Sequence, residues 1–273
     1  MSARQPLNFM PVDGPLAALD LLQVSRCGPV LQVCLNRPAK RNALSDALIR
    51  QLHTAFLNLP QDIRVVVLSG AGEHFCAGLD LAELVERDIH GAVLHSRSWH
   101  AAFEAIQFGT VPVIAVLQGA VVGGGLELAA ACHLRVAEDS AYFGLPEGQR
   151  GIFVGGGGSV RLPRLIGTAR MMDMMLTGRV FDADEGERHG IVSYRTAPGG
   201  GLAQALALAE KIAGNAPMTA FAVMHALPRI AEQSPAEGLF TEALMAAVAG
   251  NTPEAQGRLK AFLAGKAAKV VKP

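Results

Sequence analysis

Three stretches of this 273-residue chain set glycines beside acids, and chemistry is sought there first. The first is Gly72-Glu73-His74-Phe75-Cys76-Ala77-Gly78-Leu79-Asp80-Leu81. Its small residues let backbone approach a ligand, and Asp80 can cap a following helix. A plain strand-to-helix turn accounts for the same residues equally well. The second, Gly123-Gly124-Gly125-Leu126-Glu127-Leu128-Ala129, follows the apolar run Val113 to Leu117. Glycines at a helix start leave free N–H groups at the positive end of the helix dipole, which suits an oxyanion or a carbonyl oxygen. Glu127 falls in the first turn of that helix. The third, Phe143-Gly144-Leu145-Pro146-Glu147-Gly148, carries a second acid, Glu147, and precedes the run Gly155-Gly156-Gly157-Gly158-Ser159.

Several other chemistries fail on spacing. A dinucleotide-binding GxGxxG counted from Gly123 and Gly125 needs a glycine where Leu128 stands. A P-loop needs Gly-Lys-Ser/Thr, and no lysine stands in the Gly155–Ser159 run. His90, His95 and His100 recur every five residues in a predicted helix, which turns successive side chains by about 140° and keeps them from converging on one metal. Neither HExxH nor GxSxG occurs, which disfavours a zinc protease or an α/β-hydrolase.

The elements that must position these residues alternate in type over the first two thirds of the chain. Leu21 to Ser25 and Val30 to Leu35 read as paired strands across Cys27-Gly28-Pro29, and Ser45 to Leu57 has helical spacing with Ser45 as N-cap. Ile63 to Leu68 and Val111 to Leu117 read as buried strands, each running into a glycine-bearing turn and a helix, which is α/β architecture. Beyond Gly201 four helices are predicted, Leu202 to Ala213, Met218 to Glu232, Ala236 to Val248 and Pro253 to Leu263, with breaks at Gly214–Pro217, Ser234-Pro235 and Gly250-Asn251. The expected organisation is a flexible leader over 1–20, a catalytic core over 21–200 and a helical oligomerisation region over 201–273. That last region carries more apolar surface than a small helical unit can hide, so self-association is expected.

Composition bounds the partners. Lys+Arg and Asp+Glu balance at 24 each, leaving no basic field for nucleic acid or acidic lipid. The four cysteines, Cys27, Cys34, Cys76 and Cys132, form no CxxC pair, consistent with a reduced, cytoplasmic protein. No signal-like region and no run of about 18 apolar residues stands out, so neither secretion nor membrane spanning is expected.

Taken together and in order, the motifs resemble the enoyl-CoA hydratase/isomerase (crotonase) superfamily over about Leu21 to Gly265. The matching segments are Leu35-Asn36-Arg37-Pro38, Asn42-Ala43-Leu44, Phe75 to Leu81, Gly123 to Ala129, Phe143 to Glu147 and Gly155 to Leu165. The resemblance implies a crotonase (ClpP-like) spiral of ββα turns forming two roughly perpendicular sheets, with C-terminal helices that build homotrimers or dimers of trimers. It implies an oxyanion hole from the backbone N–H groups of Leu79 and Gly124. It places coenzyme A beside Ala39, Lys40, Arg41, Ala77, Asp80 and Leu81. Coenzyme A enters as part of an acyl-CoA thioester substrate, and no separate cofactor or metal is expected.

Family members that hydrate a 2-enoyl-CoA use two glutamates twenty residues apart, and Glu127 and Glu147 match both positions. Water activation is assigned to Glu127 and proton delivery to Glu147. Hydration is thus the leading expectation. Double-bond isomerisation or thioester hydrolysis on the same oxyanion hole comes second, and a non-catalytic CoA-binding paralogue third. Departures from the family pattern at Gly148-Gln149-Arg150-Gly151-Ile152 and Val154 bear on the acyl pocket. His133 stands where an aspartate is common, and Lys260 to Lys266 lacks the usual Glu-Lys-Arg ending.

Overall fold

The structure, a computed structural model, describes residues 9–83 and 86–266. The chain divides into one compact unit up to Ala213 and a second from Gly214. In the first unit the strands are β1 (Met10–Pro11), β2 (Leu22–Cys27), β3 (Val30–Leu35), β4 (Val65–Gly70), β5 (Val113–Leu117), β6 (Ala120–Val122), β7 (Leu134–Glu138), β8 (Tyr142–Gly144), β9 (Phe181–Asp182) and β10 (Tyr194–Thr196). Its helices are α1 (Asp46–Leu57), α2 (Ile89–Gln107), α3 (Gly124–Ala131), α4 (Gly158–Ile166), α5 (Thr168–Thr177), α6 (Ala183–His189) and α7 (Gly201–Ala213).

The local signals act as expected. Cys27 pairs with Val30 around Gly28-Pro29, and Gly28 at φ 54° supplies the positive φ that a two-residue hairpin needs at its first central position. Ser45 accepts the N–H of Leu48 and starts α1.

The large sheet runs β1-β2-β3-β4-β5-β7-β10, parallel from β3 onward, and the small one runs β6-β8-β9. Each pass of the chain leaves a strand in the large sheet and the next in the small one: β5 then β6, β7 then β8. Cys76, following β4, bridges Val121 of β6 in the same parallel sense. The result is a spiral of α/β turns.

Every residue of β4 and β5 is buried, as a parallel sheet covered on both faces requires. Alternate residues serve two cores. Val66, Leu68, Val113, Ala115 and Leu117 face the main one, with α1 and α2, while Val65, Val67, Ile114 and Val116 face a second layer. Ala205, Leu208 and Ala209 of α7 close that second layer.

Two boundaries differ from the sequence reading. α7 belongs to the core rather than to the helical appendage, because its small residues are the cover for the outer face of the sheet. Residues 10–20 are not a flexible leader: β1 pairs with β2, and Val12 and Leu16 are buried against the main core. Residues 1–8 and 267–273 lie outside the described residues.

The second unit contains α8 (Pro217–Phe221), a π-helical turn over Ala222–Ala226, α9 (Leu227–Ile230), α10 (Pro235–Gly250) and α11 (Pro253–Leu263). The single helix expected over 218–232 is therefore interrupted. Pro228 lacks an N–H and its ring crowds the carbonyl four residues back, so the ladder widens just before it. Ser234 and Glu237 form a capping box at the start of α10. Of the sixteen residues of α10 only Gly238 is buried within this chain, and Leu239, Phe240, Leu244 and Val248 are exposed.

Asn42 is one of the side chains that hold the turn after β3 to the turn after β4. Asn42, fully buried at φ 55°, accepts the N–H of Arg37 at 2.9 Å and donates to the carbonyls of Ala71 (2.9 Å) and His74 (2.7 Å). Asn42→Ala leaves these groups without their partner, and the expected loss is about 3 kcal/mol of unfolding free energy in urea titrations. A loss under about 1 kcal/mol would show that solvent replaces the asparagine.

Candidate active site

The site forms where the small-residue turn after β4 meets the start of α3. Gly123 adopts φ 54°, ψ −125°, a conformation open to glycine, and a Cβ there would lie 2.6 Å from Oε1 of Glu147. The next two glycines are needed for close approach. A Cβ on Gly124 would strike the Trp99 ring at 2.7 Å, and one on Gly125 would strike the carbonyl oxygen of Cys76 at 2.3 Å. These contacts bring α3 against the 76–79 segment. A Cβ on Gly78 would stand 3.4 Å from the amide nitrogen of Gly124.

Two backbone donors are left over at this junction. Leu44 donates to the carbonyl of Gly78, and Asp80 donates to the carbonyl of Leu44. That parallel bridge turns the Leu79 N–H away from the 44 segment. Gly124 is the first residue of α3, so its N–H has no intrahelical acceptor. Neither N–H has a hydrogen-bond partner among the described residues, and Leu79 and Gly124 line the same cleft.

Glu127 and Glu147 line that cleft too, both buried, in unequal surroundings. Oε1 of Glu127 accepts the N–H groups of Gly156 and Gly158, each at 2.8 Å. Burial pushes its carboxyl up, and those two N–H groups and the charge of Arg161 oppose the shift. Oε2 of Glu147 is buried without a partner among the described residues. Burial chiefly, with the nearby charge of Glu127, pushes Glu147 up to about 7. Burial thus raises both acids, and only Glu127 has two backbone donors on its carboxylate that favour the anion.

The glycine run 155–158 was the feature whose purpose spacing did not disclose. A backbone N–H leaves no mark in composition, and only the fold shows it aimed at a carboxylate. Trp99, one turn before Phe103 on α2, was also missed; its ring packs between Gly124 and Gly156. Ser96 holds the glycine run from the same helix, donating to the carbonyl of Gly155 at 2.5 Å. Ile152 and Phe153, within and just beyond the unusual Gly148–Ile152 stretch, form an exposed wall of the cleft.

The expected coenzyme A residues fall together in part. The Ala77 N–H donates to the carbonyl of Arg41 at 3.0 Å, which sets Ala39–Arg41 beside the 77–81 turn, with Ala39, Lys40, Arg41 and Leu81 exposed. Asp80 differs: its carboxylate meets Arg37 at 2.8 Å and the Ala82 N–H at 3.2 Å. The bond from Arg37 holds it below the usual carboxylate range. It braces the turn from inside and leaves no free carboxylate for a ligand. Burial pushes the thiols of Cys76 and Cys132 up to about 12, so neither offers a thiolate at neutral pH. Among the described residues no cluster of metal-ligating side chains occurs, and no helix is long and apolar enough to cross a membrane.

The spiral α/β fold thus sets two spare backbone donors and a pair of glutamates in one cleft. The profile of the Enoyl-CoA hydratase/isomerase family matches residues 26–268, and the chain belongs to that family. A "Probable enoyl-CoA hydratase" of Rhizobium meliloti (strain 1021) is 37% identical over 252 residues, covering 91% of this chain and 97% of that protein. The 2,3-dehydroadipyl-CoA hydratase of Escherichia coli K12 is 36% identical over 244 residues, covering 89% and 95%. The crystal structure of a "putative enoyl-CoA hydratase" from Rhodopseudomonas palustris CGA009 superposes with a TM-score of 0.89 at 56% identity, covering 94% of this chain and all of that one.

The raised Glu147 carboxyl has a consequence for stability. A glutamate ionising near 4.5 when unfolded and near 7 when folded favours the native state fully below the lower value. That contribution is lost as pH rises through about 7. Glu147→Gln cannot ionise, so its stability relative to wild type should rise between these two values and level off above the higher one. Denaturant midpoints measured across that range check it; a difference that does not vary with pH contradicts the placement of Glu147.

Proposed function

We propose that this protein adds water to a 2-enoyl-CoA thioester, giving a 3-hydroxyacyl-CoA. The observation that carries the reading is the pair of N–H groups, on Leu79 and Gly124, without partners among the described residues, in one cleft with two buried carboxylates in unequal surroundings. The names of the relatives support it.

In this reading the thioester oxygen sits between the N–H groups of Leu79 and Gly124. Glu127, as carboxylate, takes a proton from water while the water oxygen bonds to the β carbon. The π electrons move toward the carbonyl, and the negative charge that gathers on its oxygen is held by the two fixed donors. Glu147, as the acid, gives its proton to the α carbon. The thioester gains H and OH, and passage of the proton from Glu127 to Glu147 restores the site. Two acids are required because one face of the reaction needs a base and the other a proton.

Glu→Gln keeps size while removing proton transfer. Glu127→Gln and Glu147→Gln should each lower kcat by ~10²–10⁴, with acyl-CoA binding largely kept. Since both act on one water, the double variant should lose far less than the product of the single losses. The assay follows the enoyl thioester absorbance with crotonyl-CoA and longer esters, beside calorimetry with butyryl-CoA. If wild type hydrates no enoyl ester but shifts a 3-enoyl double bond, and Glu127→Gln leaves that shift intact, isomerisation replaces hydration.

Self-association is part of the same proposal: the exposed apolar residues of α10, with Leu259, Phe262 and Leu263 of α11, would be covered by copies of this chain. Light scattering at micromolar concentration should give a trimer or hexamer, and a monomer would refute it.

A further inference from the structure

Arg161 has no place in the mechanism above, yet it is a charged side chain buried in the core, 8% exposed, on α4. Taking a guanidinium out of water costs several kcal/mol unless bonds and opposite charge compensate. The bonds are present. Nε donates to Oε1 of Gln107 at the end of α2 (2.6 Å), and Nη1 donates to the carbonyl of Gly156 (3.0 Å). The backbone N–H of Arg161 donates to the carbonyl of Gly157 (3.1 Å). The guanidinium also packs over Gly157, where a Cβ would meet Nη1 at 2.3 Å.

These bonds converge on the run that carries Glu127. Gly156 offers its carbonyl to Arg161 and its N–H to Glu127, and Gly158 offers its N–H to the same Oε1. The groups whose fields reach Arg161 are Glu104 of α2, Glu127 of α3 and Cys132 just past α3. Glu104 is exposed and screened, and the Cys132 thiol is neutral near pH 7, so Glu127 is the buried counter-charge. Glu127 in turn raises the carboxyl of Glu147, and the charge of Arg161 favours ionisation of Glu127. His95 of α2 lines the same cleft and is bonded to Asp46 at 2.8 Å; Arg150 acts on Glu147.

We infer that Arg161 is a positioning residue for the catalytic base: it clamps Gly156 and Gly157 so that two N–H groups stay on Glu127, and it sets a buried positive charge behind them. The kinetic part of this inference rests on Glu127 being the base; the clamp and the charge effect do not.

The decisive measurement is an infrared titration of Glu127 in a Glu147→Gln background, which reads protonation without turnover. Adding Arg161→Met should move that titration to higher pH by about one unit, since the positive charge is gone. In the Glu147-containing enzyme, Arg161→Met should move the acidic limb of kcat the same way and lower kcat about tenfold near neutrality, with butyryl-CoA affinity within about twofold. A folded Arg161→Met protein whose Glu127 titrates as before overturns the inference. Should that variant not fold, Arg161→Lys decides: it keeps the charge but cannot span Gln107 and Gly156, so kcat should fall with the acidic limb in place. Wild-type kcat in Arg161→Lys would overturn the clamp. If wild type hydrates nothing, the hydratase reading falls while the infrared titration still decides the role of Arg161.

Discussion

A carboxylate taken out of water stays an anion only where fixed donors replace the solvent it has lost. At Glu127 those donors are the N–H groups of Gly156 and Gly158, both on Oε1. The geometry tolerates little change. A Cβ on Gly158 would lie 2.8 Å from Cγ of Glu127, and one on Gly156 would lie 2.9 Å from the Phe103 ring. The glycine run is therefore a surface that α3 rests on. The Gly124 N–H, one turn before Glu127 on that short helix, is set by the same contact, because eight residues of helix move as one body.

Rigidity at the junction depends on what lies beneath it. β4 leads into the turn before the junction and β5 leads through β6 into α3, and because β4 and β5 are buried on both faces a shift at the junction would have to displace close-packed strands. α7 is indispensable here although it lies far along the sequence from either turn. Without Ala205, Leu208 and Ala209, the outer sides of Val65, Val67, Ile114 and Val116 would be exposed to water. The second unit shows the opposite condition, with α10 carrying four large exposed apolar side chains and only a glycine buried.

What could be read in the sequence follows from how local each cause is. The Gly28-Pro29 turn, the Ser45 cap and the breaks before Pro235 and Pro253 are short-range chemistry, and they stand where expected. The two glutamates and the two candidate donors could be named because the motifs around them resemble those of the family, since composition marks no backbone N–H. Legibility ended where the partner is distant. An alanine-rich helix records that it has an apolar face, not which surface covers it, and so α7 was assigned to the wrong unit. Val12 and Leu16, scattered among Pro11 and Pro15, show no periodicity, yet both are buried. Asp80 was marked by its position in a motif, and its real partner, Arg37, comes from a turn forty-three residues earlier.

The two glutamates carry identical side chains, so any division of labour between them must come from their surroundings. Glu127 sits on a helix, within one turn of a free N-terminus, and receives two further N–H groups from a second segment. Glu147 follows Pro146 out of β8 into a one-turn 3₁₀ segment and receives no donor on Oε2 among the described residues. The charge of Glu127 also raises the carboxyl of Glu147, so neither ionises independently of the other. Backbone amides, which no substitution can recharge, thus favour the anion of Glu127. Side chains such as Arg161 can act on that balance only by moving those amides or by adding charge behind them.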